Sequence, residues 1–292
     1  MCCHPSAPSP TSGRPENALD APMTVKNAHP ELLAHMEEGI AALTSSDAWR
    51  DHLVLQSRFH RYSYGNVVLI ASQNRRATQV AGFHTWRRLN RRVGKGEKAI
   101  WILAPMVSRR TEPGDGEETR VIRGFKYVPV FDIAQTHGQG PPSICTKLSG
   151  DDPGCFYHQL QAMARSIGYG VEDHRFGDAT NGDCSPSLRR IRVEARNSPA
   201  QRVKTLSHEL AHALLHERVE DRALAELEAE STAYVVCQAI GIDTGAYSFG
   251  YVATWAGGGQ QAIVSIKASC ERIQKAAADI LRFFEDEQEQ AA

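Results

Sequence analysis

Five residues, His208-Glu209-Leu210-Ala211-His212, constrain this chain more than any other stretch of it. Residues four apart on an α-helix share a face, so the two imidazoles can meet at one point while Glu209 stands beside them. Two histidines so spaced, with a carboxylate following the first, suit a helix that holds a metal ion and a water molecule. The flanking sequence makes the helix explicit. Ser198-Pro-Ala-Gln201 reads as a capping box with proline at the first helical position, and Val203, Leu206, Leu210, Ala213 and Leu214 form an apolar stripe. The fold must therefore bury one face of a helix over about 199–217 and leave the motif face open.

A catalytic zinc site takes three protein ligands and leaves a position for water. His216 extends the 208–212 stripe, but it lies about 12 Å from His208 along a continuous helix, too far to share one ion. A histidine six residues after His212 is also absent, since position 218 is Arg. The next helical stretch, 222–240 with Gly241 after it, offers carboxylates instead. Residues 226, 230, 233, 237 and 240 fall on one stripe that reads Glu, Glu, Ala, Cys, Ile, whereas Glu228 lies roughly 200° from Glu226 and is expected to face solvent. Two carboxylates on an otherwise small or apolar face are costly unless they are bound to something. Glu226 and Glu230 are thus the pair to divide between a Zn²⁺ ligand and a hydrogen bond that orients a ligand imidazole. With the ion in place, Glu209 is the catalytic base for peptide hydrolysis, and the strand expected over 188–195 is the edge against which an extended substrate pairs.

The net charge of -1 argues against a nucleic-acid partner only if the charges are evenly mixed, and here it is a cancellation. Residues 1–145 hold 18 Lys/Arg against 13 Asp/Glu, and residues 146–292 hold 15 against 21. Ten of the bases lie between Arg58 and Lys98, opposed there by Glu97 alone. Trp86-Arg-Arg-Leu-Asn-Arg-Arg-Val-Gly-Lys-Gly-Glu-Lys98 interleaves basic pairs with apolar anchors, and Phe59, Tyr62, Tyr64, Phe83, Trp86 and Trp101 supply rings on which unpaired bases can stack. No apolar run approaches the roughly 20 residues of a membrane helix. The 7 cysteines form no CxxC pair and fit a reducing cytoplasm.

The helical pattern from His29 to about Gln73, followed by strands over Lys98–Ala104 and Tyr127–Phe131 with a polar hairpin tip over 108–119, predicts a helix-plus-small-sheet domain. The Gly/Pro/Ser-rich stretch Thr136–Gly154 reads as a boundary. The expected organisation is α+β in two domains: a disordered leader over 1–28, a DNA-binding domain over 29–136, a linker over 137–154, and a zincin-like metallopeptidase domain over 155–292.

Several strings together carry a family resemblance. Ser63-Tyr-Gly-Asn-Val-Val-Leu-Ile70, Val80-Ala-Gly-Phe-His-Thr-Trp86, Arg92-Val-Gly-Lys-Gly-Glu-Lys98 and Phe131-Asp-Ile-Ala-Gln-Thr136 resemble the N-terminal domain of ArdC-type antirestriction proteins. The zinc half resembles the metallopeptidase domain of the same proteins and, more distantly, the ImmA/IrrE metallopeptidases. The likeness spans about residues 30–255. It implies a single-stranded-DNA-binding protein that shields incoming DNA from restriction enzymes, with DNA contacts among Tyr64, Asn66, Trp86, Arg87, Arg88, Arg91, Arg92, Lys95 and Lys98. It also implies Glu226 as the third ligand beside His208 and His212, with Glu230 behind the imidazoles. The departure is Glu at 230, where the pattern has an amide or Asp. Two alternatives stand beside this reading: an ImmA-like protease that cleaves a repressor, and a DNA-binding protein whose zinc is only structural. Any protein substrate is unidentified.

Overall fold

The fold is taken from a computed structural model, which describes residues 24–26, 38, 40–41, 43, 45–111, 118–138, 153–218, 220–242 and 260–291. The expected leader (except 24–26), most of the expected linker and half of the hairpin tip lie outside these residues. Helices are Ser46–Arg58 (α1), Tyr64–Gln73 (α2), Phe83–Arg88 (α3), Pro153–Ser166 (α4), Pro199–Leu215 (α5), Arg222–Ala239 (α6) and Gln260–Ala291 (α7). Strands are Thr24–Lys26 (β1), Val80–Ala81 (β2), Arg91–Val93 (β3), Ile100–Thr111 (β4), Glu118–Asp132 (β5), Thr136–Gly138 (β6), Gly170–His174 (β7), Gly182–Ser185 (β8) and Arg190–Glu194 (β9). The class is α+β, with helices and strands segregated along much of the chain.

Chain contacts define two compact units. The smaller comprises Met1–Ala28 and Ala104–Lys126. In it β1 runs parallel to β5, pairing Thr24 with Gly124, and Arg123 donates to Ser108 Oγ at 2.9 Å across the hairpin. The larger comprises His29–Leu103 and Tyr127–Ala292.

Within the larger unit the apolar face of α5 is the centre of the core. Val203, Leu206 and Leu210 are fully buried with Ile191 and Val193 of β9 and with Leu160 of α4. Each such side chain contributes about 1.5–3 kcal/mol by leaving water. Ser198 caps α5 by accepting from the Gln201 N–H, and Pro199 follows it, so the helix starts where the sequence places it. Trp49, Leu53, Tyr64 and Val68 from α1 and α2 belong to the same core, and Trp49 donates through its indole N–H to Ser231 on α6. The N-terminal helices are therefore packed into the interior that surrounds the HExxH helix. Glu228 shares that interior at 1% exposure instead of facing solvent, because α7 covers that side of α6 and supplies Arg272 and Ser269 to it. Helical periodicity locates a face, but it does not tell how many faces neighbours will cover.

A second cluster, Phe59, Val67, Ile70, Ala77, Val80, Ile100, Ile102 and Val130, joins α2 to the strands. Beside the HExxH helix lies a three-stranded sheet in the order β7-β9-β8, with β9 parallel to β7 and antiparallel to β8. The strand expected over 188–195 is thus the central one. Both its edges are occupied, and among the described residues β7 and β8 are the edge strands of this sheet.

Candidate metal centre

α5 brings His208 and His212 to one face, and α6, capped by Asp221 on the Leu224 N–H, brings Glu226 opposite them. His208 Nε2 and His212 Nε2 are 3.1 Å apart, and Glu226 Oε2 lies 3.4 Å and 3.8 Å from them. Among the described residues this is the one group of three with metal-ligating atoms so close together. A tetrahedral zinc site with bonds of about 2.0–2.2 Å keeps its ligand atoms about 3.4 Å apart, which matches this spacing.

The opposite ring nitrogens explain why the three atoms fit a cation. His208 Nδ1 lies 3.2 Å from Glu230 Oε2, and Glu230 is held in turn by Lys204 Nζ at 2.9 Å. His212 Nδ1 lies 3.0 Å from His216 Nδ1. If each Nδ1–H donates outward, both Nε2 atoms aim lone pairs at one point that a carboxylate oxygen also faces. Three converging electron pairs repel unless a positive charge sits between them, and two imidazoles plus a carboxylate suit zinc. Glu226 is half exposed, whereas Glu230 is more enclosed. The side chain that reaches both imidazoles is therefore the one open to the cleft.

Electrostatics follow this arrangement. The imidazoles of His208 and His212 hold the Glu226 carboxyl far below the usual carboxylate range. Burial opposes a charge on His208, but its bonds to Glu226 and Glu230 outweigh that and raise it to about 9. Burial pushes Glu209 up to about 7, with His208 working the other way. A cleft of about 430 Å³ is lined by His208, Glu209, His212 and Glu226 together with Gly182–Cys184 and Arg222. A second, of about 390 Å³, reaches Glu209 from the side of Thr180, Gln201 and Lys204. Two residues here were not expected to matter. His216 touches the His212 imidazole, and Gly182 passes against Glu209.

The nine residues expected to contact DNA divide into two groups. Arg87, Arg88, Arg92, Lys95 and Lys98 are exposed. Tyr64, Asn66, Trp86 and Arg91 are buried and cannot meet a DNA strand. Asn66 grips the backbone of Leu103 with both its amide atoms at 2.8 Å, Trp86 donates to the Phe131 carbonyl, and Arg91 donates to Thr136 Oγ1 at 2.7 Å. Of the rings near the basic stretch, Phe83 is the exposed one, at 51%. Asp132 explains another of the quoted strings: it caps the turn over 133–135 and accepts from the Thr78 and Gln79 N–H groups.

Residues 26–131 match the family described as the N-terminal domain of anti-restriction factor ArdC, and residues 157–249 match the IrrE N-terminal-like domain family. An uncharacterized protein of Bacillus anthracis is 26% identical over 248 residues, which are 70% of this chain and 42% of that protein. The chain thus spans less than half the length of this relative. Crystal structures of the antirestriction protein ArdC from the R388 plasmid are 23% identical, with TM-scores of 0.48 for the metal-free form and 0.46 for the Mn(II)-bound form. They cover 77% and 76% of this chain and 86% and 84% of the respective structures.

Proposed function

We propose, from the premise that this chain joins the two domains of ArdC-type antirestriction proteins, that it is a single-stranded-DNA-binding zinc metallopeptidase. The observation that carries the reading is the meeting of His208, His212 and Glu226 ligand atoms within 4.8 Å, one residue from Glu209 and open to a cleft. His208, His212 and Glu226 would hold the ion, and Glu230 fixes the ring of His208 from behind. When bound, zinc supplies Lewis acidity toward water and a carbonyl oxygen. Glu209 is not needed as a ligand. Its carboxylate is placed to accept a proton from the attacking water and to give it to the departing amine nitrogen. The free edge of β8 runs past Glu209 and accommodates an extended peptide by backbone pairing.

The DNA reading rests on the exposed bases Arg87, Arg88, Arg92, Lys95 and Lys98 with Phe83 beside them, cations for phosphates and a ring for a base. Among the described residues no helix is long and apolar enough to cross a membrane. Cys155, Cys184, Cys237 and Cys270 are free thiols, consistent with action in the cytoplasm.

Glu209→Gln tests the peptidase reading. The variant is expected to keep its metal and its DNA binding while losing both hydrolysis of a peptide library and protection of incoming DNA. Full antirestriction activity in that variant would remove proteolysis from the function and leave a DNA-binding protein with a structural ion.

A further inference from the structure

α5 ends at Leu215, and His216 is its C-cap: its N–H still bonds to the His212 carbonyl at 2.9 Å while its φ of -125° and ψ of 52° leave the helix. His216 stands four residues on from His212, on the same side of the helix, and its Nδ1 reaches within 3.0 Å of His212 Nδ1. The far nitrogen, Nε2, lies 3.1 Å from Glu228 Oε2. Glu228 is 1% exposed, and a carboxylate so enclosed is costly unless it is fully bonded. Ser269 Oγ donates to it at 2.7 Å, Arg272 Nε reaches both its oxygens at 3.1 and 3.0 Å, and Arg272 Nη2 bonds it as well. The set runs in one line from α7 through α6 to the end of α5, and His216 itself is 8% exposed.

Only one proton arrangement fits a neutral line. Glu228 accepts from its partners, so His216 carries its proton on Nε2 and presents a lone pair on Nδ1. His212 must then carry its proton on Nδ1, which leaves His212 Nε2 bare and facing Glu226.

We propose that His216, held by Glu228 and Arg272, is a positioning residue for the metal centre: it fixes the ring and the tautomer of His212 so that Nε2 is presented to the ion. His208 has its own counterpart in Glu230, so each ligand imidazole is set by a different carboxylate, one directly and one through a second imidazole. The proposal rests on the metal-centre reading above. It goes beyond that reading by giving work to His216 and Glu228, two buried groups outside the proposed ligand set.

The test is metal affinity, measured by competition against a chromophoric chelator on full-length protein with zinc and with cobalt. His216→Leu removes the acceptor and is expected to weaken zinc binding about 10–100-fold, as loss of an outer-shell partner typically does. His216→Asn returns an acceptor oxygen near the place of Nδ1 and is expected to recover most of the affinity. The cobalt absorption bands should shift in the Leu variant and return toward those of the parent in the Asn variant. A merely structural His216 would lower the melting temperature of the metal-free protein in both variants without separating them in affinity. Should His216→Leu fail to fold, Glu228→Gln keeps the volume and is expected to weaken zinc binding several-fold. Parent-like affinity in a folded His216→Leu or Glu228→Gln protein overturns the positioning role and leaves the metal centre standing. If the parent itself binds neither metal tightly, both the centre and its positioning residue fall.

Discussion

A Cβ placed on Gly182 would lie 3.0 Å from Glu209 Oε1 and 2.5 Å from Thr205 Cγ2. β8 therefore passes so close to the HExxH helix that only a residue without a side chain leaves the carboxylate where it is. Gly182→Ala is expected to lower stability by about 1–3 kcal/mol, the usual cost of forcing a methyl into filled space. Urea unfolding of the metal-free protein reads this. Thr205→Ser in the same chain removes the nearer obstacle and should recover part of the loss, so the two changes will not add. An unchanged midpoint for Gly182→Ala would mean that β8 yields freely and does not position Glu209.

Glu226 and Glu230 occupy one stripe of α6, yet they reach different atoms of His208: Nε2 at 3.4 Å and Nδ1 at 3.2 Å. On the proposed ligand set, Glu226→Ala removes the third ligand and should leave purified protein with almost no zinc by mass spectrometry. Glu230→Ala removes only the partner that orients a ligand and should retain zinc at about 10–100-fold lower affinity. Loss of all zinc from Glu230→Ala with retention in Glu226→Ala would reverse the two roles.

The basic stretch makes a sharper prediction now that its members are placed. Replacing Arg87, Arg88, Arg92 and Lys95 by Ala should weaken single-stranded-DNA binding and flatten its dependence on salt, since each phosphate contact contributes about 0.7 to that slope. Phe83→Ala should cost about 1–3 kcal/mol of binding if a base stacks there. Arg91→Ala behaves differently. Its guanidinium donates to Thr136 Oγ1 and to the Thr136 and Gly138 carbonyls across β3 and β6, so the loss falls on stability, by about 1–3 kcal/mol, with the salt slope unchanged. Fluorescence anisotropy over a salt series, beside thermal melts, separates the two.

These placements also mark what the sequence could convey. The HExxH helix, its cap, its apolar stripe and the carboxylate pair on α6 were legible because each rests on periodicity within one element. The roles of Glu228 and His216 were not, because both depend on α7 packing against α6 with Arg272, 44 residues from Glu228, aimed inward. His216 stands four residues from His212, so that contact follows helical spacing, whereas its link through Nε2 to Glu228 crosses between helices and has no local pattern. The work of Asn66 and Trp86 within the quoted strings is likewise tertiary. Asn66 serves the backbone of β4 and Trp86 that of β5, pairings that no local pattern encodes. The same limit applies to α1 and α2: Val67 and Ile70 pack on the neighbouring strands, whereas Trp49, Leu53, Tyr64 and Val68 reach the core around α5, and no local pattern divides the two sets.

His52 of α1 supplies a pH dependence independent of the metal centre. Its ring is buried at 5% exposure, lies edge-on to Tyr64 at 5.4 Å, and its Nε2 has no hydrogen-bond partner. Burial lowers its pKa from 6.5 to about 4, so the folded protein keeps the ring neutral where the unfolded chain would protonate it. The unfolded state then binds the extra proton, and stability falls as pH drops from 6.5 toward about 4, with no further loss from this group below that. The full effect is of the order of 3 kcal/mol at 1.4 kcal/mol per unit. Above pH 6.5 both states are neutral and the contribution is flat. Metal-free protein should therefore lose stability between pH 6.5 and 4.5 in urea titrations, and His52→Asn, which cannot take the proton, should show a shallower slope over that window. Equal slopes in parent and variant would mean that the folded protein opens to hydrate the His52 ring instead of holding it neutral.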